Sequence, residues 1–175
     1  MFATPESILE QFHVDPGMSV ADLGSGAGFY SILLGRAVGP SGKVYAVDVQ
    51  KSLLQKIQAD SAAQGVYNIK PIWGDLDNIK GTTLPDNSLD RVVIVNTLFQ
   101  VENRDGMVLE AHRILKPKGK LLFVDWSESF GGLGPQPENV IKHDVARTLF
   151  ESEGFEFDRD VVAGDHHYGF IIKKK

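Results

Sequence analysis

The sequence predicts an α/β fold built on a mostly parallel sheet, and three observations carry that prediction. Short, β-rich apolar runs alternate with longer helical patterns along nearly the whole chain, as strand–helix–strand units do. A glycine-rich turn joins the first apolar run to the first long helical one. The last two runs are linked only by Gly164-Asp165-His166-His167, and so short a link favours an antiparallel pair, because parallel strands need a long crossover.

Each element follows from local chemistry. Thr4-Pro5-Glu6 starts a helix, with Thr4 as N-cap and Pro5 in the first turn, and Ile8, Leu9 and Phe12 share a face. Asp15-Pro16-Gly17 ends that segment as a turn. Met18–Leu23 is the first strand and Phe29–Val38 a helix closed by Gly39-Pro40-Ser41-Gly42. Lys43–Val49 is the second strand, Lys51–Gln64 a helix stopped by Gly65, and Asn68–Trp73 the third strand. Pro85-Asp86-Asn87-Ser88 turns into strand four, Leu89–Val95. Arg104–Leu115 is a helix ended by Lys116-Pro117-Lys118-Gly119, and Lys120–Trp126 is strand five. Ser127–Pro137, rich in glycine and proline, is a loop; Glu138–Glu153 is a helix; Phe155–Ala163 and Tyr168–Lys173 are the closing strands.

Composition narrows the class. The chain has 175 residues, 42% hydrophobic and 23% charged, which fits one domain, 1–175, with a helical segment at 1–17 and a core at 18–175. No apolar run approaches the roughly 18 residues a membrane span requires, and Met1 to Ser7 has no secretory pattern, so the expectation is cytoplasmic. The absence of cysteine removes disulfides, thiolate metal sites and cysteine nucleophiles together. With 18 basic against 23 acidic residues, a broad nucleic-acid surface is not expected.

The strongest functional signal is Asp22-Leu23-Gly24-Ser25-Gly26-Ala27-Gly28-Phe29-Tyr30, where a strand turns into a helix. Glycines there allow a tight turn and close approach to a ligand, and the helix start presents free N–H groups. A plain strand–helix turn has the same appearance. Asp48 ends the second strand, where an acid is placed to bond both ribose hydroxyls, and Gly74-Asp75 ends the third. Three such features converge on the carboxyl edge of the sheet, where ligands of open α/β folds bind. The dinucleotide spacing G-x-G-x-x-G fails in both registers, since the last position would be Phe29 or Ser31. With no Tyr-x-x-x-Lys pair in the chain, a nicotinamide oxidoreductase is disfavoured. Asp22 also suits a cationic cofactor better than a diphosphate.

Asp22-Leu23-Gly24-Ser25-Gly26-Ala27-Gly28 resembles the first motif of class I S-adenosylmethionine-dependent methyltransferases. Asp48 resembles their ribose-binding acid, and Gly74-Asp75-Leu76 their adenine-reading segment. Leu84 to Asp90 resembles their lead into strand four. Arg113-Ile114-Leu115-Lys116-Pro117-Lys118-Gly119 resembles their R-x-L-K-P-G-G turn, with Lys118 in place of the first glycine. Within the class the chain is most similar to the small "type 11" and ubiquinone/menaquinone-biosynthesis group. The resemblance implies a Rossmann-like, doubly wound sheet of seven strands, order 3-2-1-4-5-7-6, with the last strand antiparallel. It implies S-adenosylmethionine as cofactor, S-adenosylhomocysteine as product, and Asp22, Gly24, Ser25, Gly26, Gly28, Phe29, Tyr30, Asp48, Val49, Gly74, Asp75, Leu76, Asn96, Thr97 and Leu98 as its binding residues. Zero cysteine sets the chain apart from arsenite-methylating relatives, which hold arsenic on thiols.

Methyl transfer from a sulfonium needs positioning and desolvation, and a base only where the acceptor loses a proton. Asn96-Thr97-Leu98-Phe99 lacks the Asn/Asp-Pro-Pro-Tyr/Phe motif of amino-methyltransferases, which argues against that route. An antiparallel last strand returns to the rim near Asp125, so Asp125 and His167 are the candidate catalytic pair; His166 is expected to be solvated. The plainer reading of each histidine is a polar hairpin residue. No metal is expected, because adjacent His166 and His167 point to opposite faces. His112 is expected at the surface, Arg113, Lys116, Lys118 and Lys120 as a solvated turn, and Lys173 to Lys175 as a soluble tail. The expected acceptor is a small molecule, taken by a monomer or homodimer. Methylation of RNA or protein, or an inert cofactor-binding module, are the alternatives.

Overall fold

The structure, a computed structural model, describes residues 3–175. Its elements are α1 (Pro5–Glu10), β1 (Ser19–Leu23), α2 (Phe29–Val38), β2 (Lys43–Asp48), α3 (Lys51–Ala63), β3 (Ile69–Trp73), β4 (Leu89–Val95), α4 (Arg104–Ile114), β5 (Leu115–Trp126), α5 (His143–Ser152), β6 (Phe155–Val161) and β7 (His167–Lys174). The seven strands form one sheet in the order β3-β2-β1-β4-β5-β7-β6. The first five are parallel, and β7 runs antiparallel to both β5 and β6.

Successive strand residues feed opposite faces, so both sides of the sheet carry a core. Val20, Val44, Val93, Leu122 and Ile171 pack with Ile8 and Phe12 and with Leu34 and Val38 of α2. Ala21, Val92, Leu121, Phe123, Phe170 and Ile172 pack on the other face with Met107 and Ala111 of α4 and Phe150 of α5. This two-sided burial explains why the central strands read as continuous apolar runs.

Four expectations are corrected. The helix over 138–153 begins only at His143: Pro137–Asn139 is a single 3-10 turn, and Val140 and Lys142 are extended. Ile141 is 6% exposed and reaches the core from that extended stretch, which prevents an earlier helix start. The Lys116–Gly119 turn belongs to β5, as a register shift against β4, with Lys118 at φ 64° in the left-handed region. The basic residues around it are largely paired: Arg113 with Glu110 and Asp86, Lys116 with Asp90, Lys120 with Asp158. Lys174 is not a tail residue. It is buried, and its ammonium donates to Asn87 Oδ1 (2.8 Å) and to the carbonyls of His112 (2.7 Å) and Leu115 (2.8 Å), closing the carbonyl end of α4. Among the described residues no helix is long and apolar enough to cross a membrane.

Candidate cofactor site

The carboxyl ends of β1, β2, β3 and β4 open into a cavity of about 590 Å³, within the range of small-molecule sites. The turn after β1 forms its floor. At Gly24 (φ 75°) a Cβ would lie 2.4 Å from Thr97 Oγ1, and at Gly28 (φ 84°) 2.5 Å from Ile57 Cγ1. Those two glycines exist for close packing against the turn after β4 and against α3. At Gly26 a Cβ would meet nothing within 4 Å, because that position faces the cavity.

The acids at the rim are held by the backbone. Asp48 accepts from the Gly26 amide (2.9 Å) and the Gln50 amide (2.8 Å), tying the glycine turn to the end of β2. A carboxylate has about four acceptor positions, so two stay available for hydroxyls. Asp75 accepts from the Asp77 amide (3.0 Å) and Asn78 Nδ2 (2.7 Å). Asp22 lies beneath the glycines, 2% exposed, and accepts from the Ser31 hydroxyl at 2.6 Å. Burial, with help from Asp48, pushes its pKa up to about 6. Asp22, Asp48, Asp75 and Asp77 all line the cavity, and no lysine or arginine does among the described residues. This end favours a cation.

Two buried polar atoms there, Ser25 Oγ and Asn96 Oδ1, have no protein partner. Both belong to cavity-lining residues, and Asn96 is held at φ 53°. Unpaired buried donors or acceptors and a strained backbone are features that a bound polar ligand explains. Acids for ribose and amine, an open glycine and two orphaned polar atoms fit S-adenosylmethionine.

Part of the lining is apolar: Ala3, Ile8, Val95, Val124 and Ala163 belong to one hydrophobic cluster with Tyr30, and Pro5 and His167 also line the cavity. Burial, followed by the nearby charges of Asp22 and Glu6, raises the Tyr30 pKa, so it stays a protonated donor. The His167 ring lies 4.2 Å from the Trp126 ring, centroid to centroid. Burial and the neighbouring His166 lower its pKa, leaving a neutral imidazole at pH 7.

Most of the sequence-predicted residues meet here, but Gly28, Leu98 and Asp125 do not line the cavity. Asp125 and His167 do not form a pair. In the β5–β7 ladder His167 stands opposite Trp126 and Asp125 opposite Tyr168, so the two side chains project from opposite faces of the sheet. His166 is not simply solvated: it stacks on Phe130 (3.7 Å) and contacts Glu128 Oε1 at 2.6 Å, fastening the long loop to the hairpin. His112 is half-buried and packs edge-on against Phe155 at 5.2 Å. His143 bridges Asp144 and Asp160, and those carboxylates raise its pKa against the opposing pull of burial. The sequence reading missed Pro5, Ile8, Gln50, Asp77, Gln100 and Ala163. The apolar face of α1 hinted at Ile8; Ala163 had no local signal.

A profile described as a methyltransferase domain matches residues 14–154. The chain belongs to this family. The Aquifex aeolicus S-adenosylmethionine-dependent methyltransferase structure superposes with a TM-score of 0.87 at 31% identity, covering 97% of this chain and 88% of that one. S-adenosylmethionine is the cofactor of this methyltransferase fold. Demethylmenaquinone methyltransferase of Geobacillus stearothermophilus is 32% identical over 123 residues, 70% of this chain and 51% of the relative. The ubiquinone/menaquinone biosynthesis C-methyltransferase of Shewanella pealeana is 29% identical over 149 residues, 85% of this chain and 53% of the relative. The chain thus spans about half the length of these curated relatives. A [4+2]-cyclase also shares the fold, at TM-score 0.80 and 16% identity, so the fold by itself does not define the reaction.

Proposed function

We propose that this methyltransferase methylates a small, largely apolar acceptor at a ring carbon or its hydroxyl oxygen, with a quinone-type ring as the leading class. One observation carries the reading: the cavity that gathers four acids is also lined by Ala3, Pro5, Ile8, Val95, Val124 and Ala163, with Tyr30 and His167 among its polar side chains. The quinone-biosynthesis relatives supply the acceptor class. The sulfonium supplies an activated methyl, so the protein's own part is orientation, exclusion of water and management of one proton. Neutral His167 accepts the proton that a hydroxyl or a methylated ring carbon must lose, and Tyr30 donates a hydrogen bond to an acceptor oxygen. Asp22, Ser25, Asp48, Asp75 and Asn96 hold the cofactor.

Calorimetry with S-adenosylmethionine, S-adenosylhomocysteine and NAD, followed by methyl transfer to demethylmenaquinol-type hydroquinones, tests this. Binding of the two adenosyl compounds without NAD, and a methylated hydroquinone, are expected. Tight cofactor binding with transfer only to RNA or protein would overturn the acceptor class. His167→Asn is expected to lower kcat at least about 100-fold and leave the S-adenosylhomocysteine Kd within about twofold; a matched loss of both would make His167 structural.

A further inference from the structure

The methyltransferase profile covers residues 14–154, and the four acids of the cavity, Asp22, Asp48, Asp75 and Asp77, lie inside that span. Ala3, Pro5, Ile8, Ala163 and His167 line the same cavity and lie outside it. The sheet order also separates the two kinds of lining. Asp22 is on β1, Asp48 ends β2, and Asp75 and Asp77 follow β3; Val95 ends β4, Val124 is on β5 and His167 opens β7. From β1 to β7 there are three strand spacings, roughly 14 Å. Ile8 and Ala163, both buried, share a hydrophobic cluster with Val95 and Val124, so they belong to the side away from the acids of β2 and β3.

The two segments outside the profile are joined through one side chain. Gln11 Nε2 donates to the Val162 carbonyl (3.1 Å), and the Val162 amide donates to Gln11 Oε1 (2.9 Å). Gln11 Nε2 also donates to the Ser7 carbonyl (3.1 Å), and Arg159 Nη2 donates to the Gln11 carbonyl (2.7 Å). Both amide protons and the amide oxygen of Gln11 are thus engaged. They fasten the end of α1 to the residue next to Ala163, and Ile8 lies three positions back on the same helix face.

We propose that Ile8 and Ala163 set the size of the acceptor, an apolar hydroxylated ring, and that Gln11 is the positioning residue holding them together as one wall. The proposal rests on the acceptor reading above. A bulkier side chain at Ala163 narrows the room for the ring, while the acids that face the cofactor stay where β1, β2 and β3 put them.

Calorimetry with 1-naphthol and phenol, hydroxylated rings of two sizes, tests this on the chain with and without bound S-adenosylhomocysteine. The wild-type chain is expected to bind 1-naphthol more tightly than phenol. Ala163→Leu is expected to weaken 1-naphthol at least about 10-fold and phenol less than about threefold. Gln11→Leu removes the amide and is expected to weaken 1-naphthol about 10-fold, leaving the S-adenosylhomocysteine Kd within about twofold. Unchanged 1-naphthol affinity in either variant, or an equal loss of S-adenosylhomocysteine in Gln11→Leu, would overturn the proposal. A further measurement needs no variant to fold: nuclear Overhauser contacts from 1-naphthol to the methyl groups of Ile8 and Ala163 in the wild-type chain. Contacts only elsewhere, or no 1-naphthol binding, would overturn it as well. Absent S-adenosylhomocysteine binding would refute the cofactor assignment, and absent transfer to hydroquinones would refute the quinone class; the naphthol results decide the proposal in both cases.

Discussion

Asp22→Asn should make the free protein more stable and the cofactor complex weaker, because Asp22 is charged at neutral pH in a place that resists charge. Its side chain is 2% exposed, and burial lifts its pKa from 3.8 to about 6. A rise of about two units corresponds to about 3 kcal/mol at neutral pH. The folded state holds this proton more tightly than the unfolded one, so the stability contribution falls as pH rises from about 4 to about 6. Above about 6 the full penalty is present; below about 4 it is gone. Asparagine keeps an oxygen for the Ser31 hydroxyl at 2.6 Å but adds an N–H pair that needs a partner, so the net gain is about 1–2 kcal/mol. In a domain of this size that raises Tm by roughly 2–8 °C. Melting curves at pH 7.5 and pH 4.5 check it: the gain belongs at pH 7.5 and should shrink towards zero at pH 4.5. Calorimetry at pH 7.5 should show S-adenosylmethionine binding reduced about 10-fold or more, since the charge facing the cationic ligand is lost. A Tm that drops at pH 7.5, or an equal gain at both pH values, would refute the reasoning.

Asp48→Ala removes the acceptor of the Gly26 and Gln50 amides and should raise the S-adenosylhomocysteine Kd by about 100-fold in calorimetry, with a Tm loss of a few degrees. Lys118→Gly should stabilise by about 0.5–1 kcal/mol in urea melts, because only glycine adopts φ 64° without a Cβ penalty. Lys174→Met keeps the stem's packing but leaves Asn87 Oδ1 and two carbonyls without their donor, and should destabilise by about 2–3 kcal/mol in the same assay.

The sequence was informative where structure is local. The glycine turn, the strand ends at Asp48 and Asp75, and the antiparallel closing hairpin each follow from chemistry within a few residues. It failed where a side chain's partner lies far along the chain. Lys174 reads as a charged tail, yet its partners are Asn87, His112 and Leu115, some 59 to 87 residues away. Asp125 and His167 both reach the same rim, but the residue-by-residue register of β5 on β7 decides which face each one takes, and a pairing slipped by one position would reverse it.

What the sequence alone determined, then, is the order of elements and the carboxyl-edge candidate site, because periodicity and turn chemistry are properties of neighbouring residues; the cofactor class came from the resemblance of its motifs to a known family. What only the tertiary structure decided is the division of labour among the site's side chains. Gly24 and Gly28 serve packing while Gly26 opens to the cavity; His167 lines the cavity, and Asp125 projects from the opposite face of the sheet. These assignments depend on which surfaces meet across the sheet, and register, burial and side-chain direction exist only once the strands have paired.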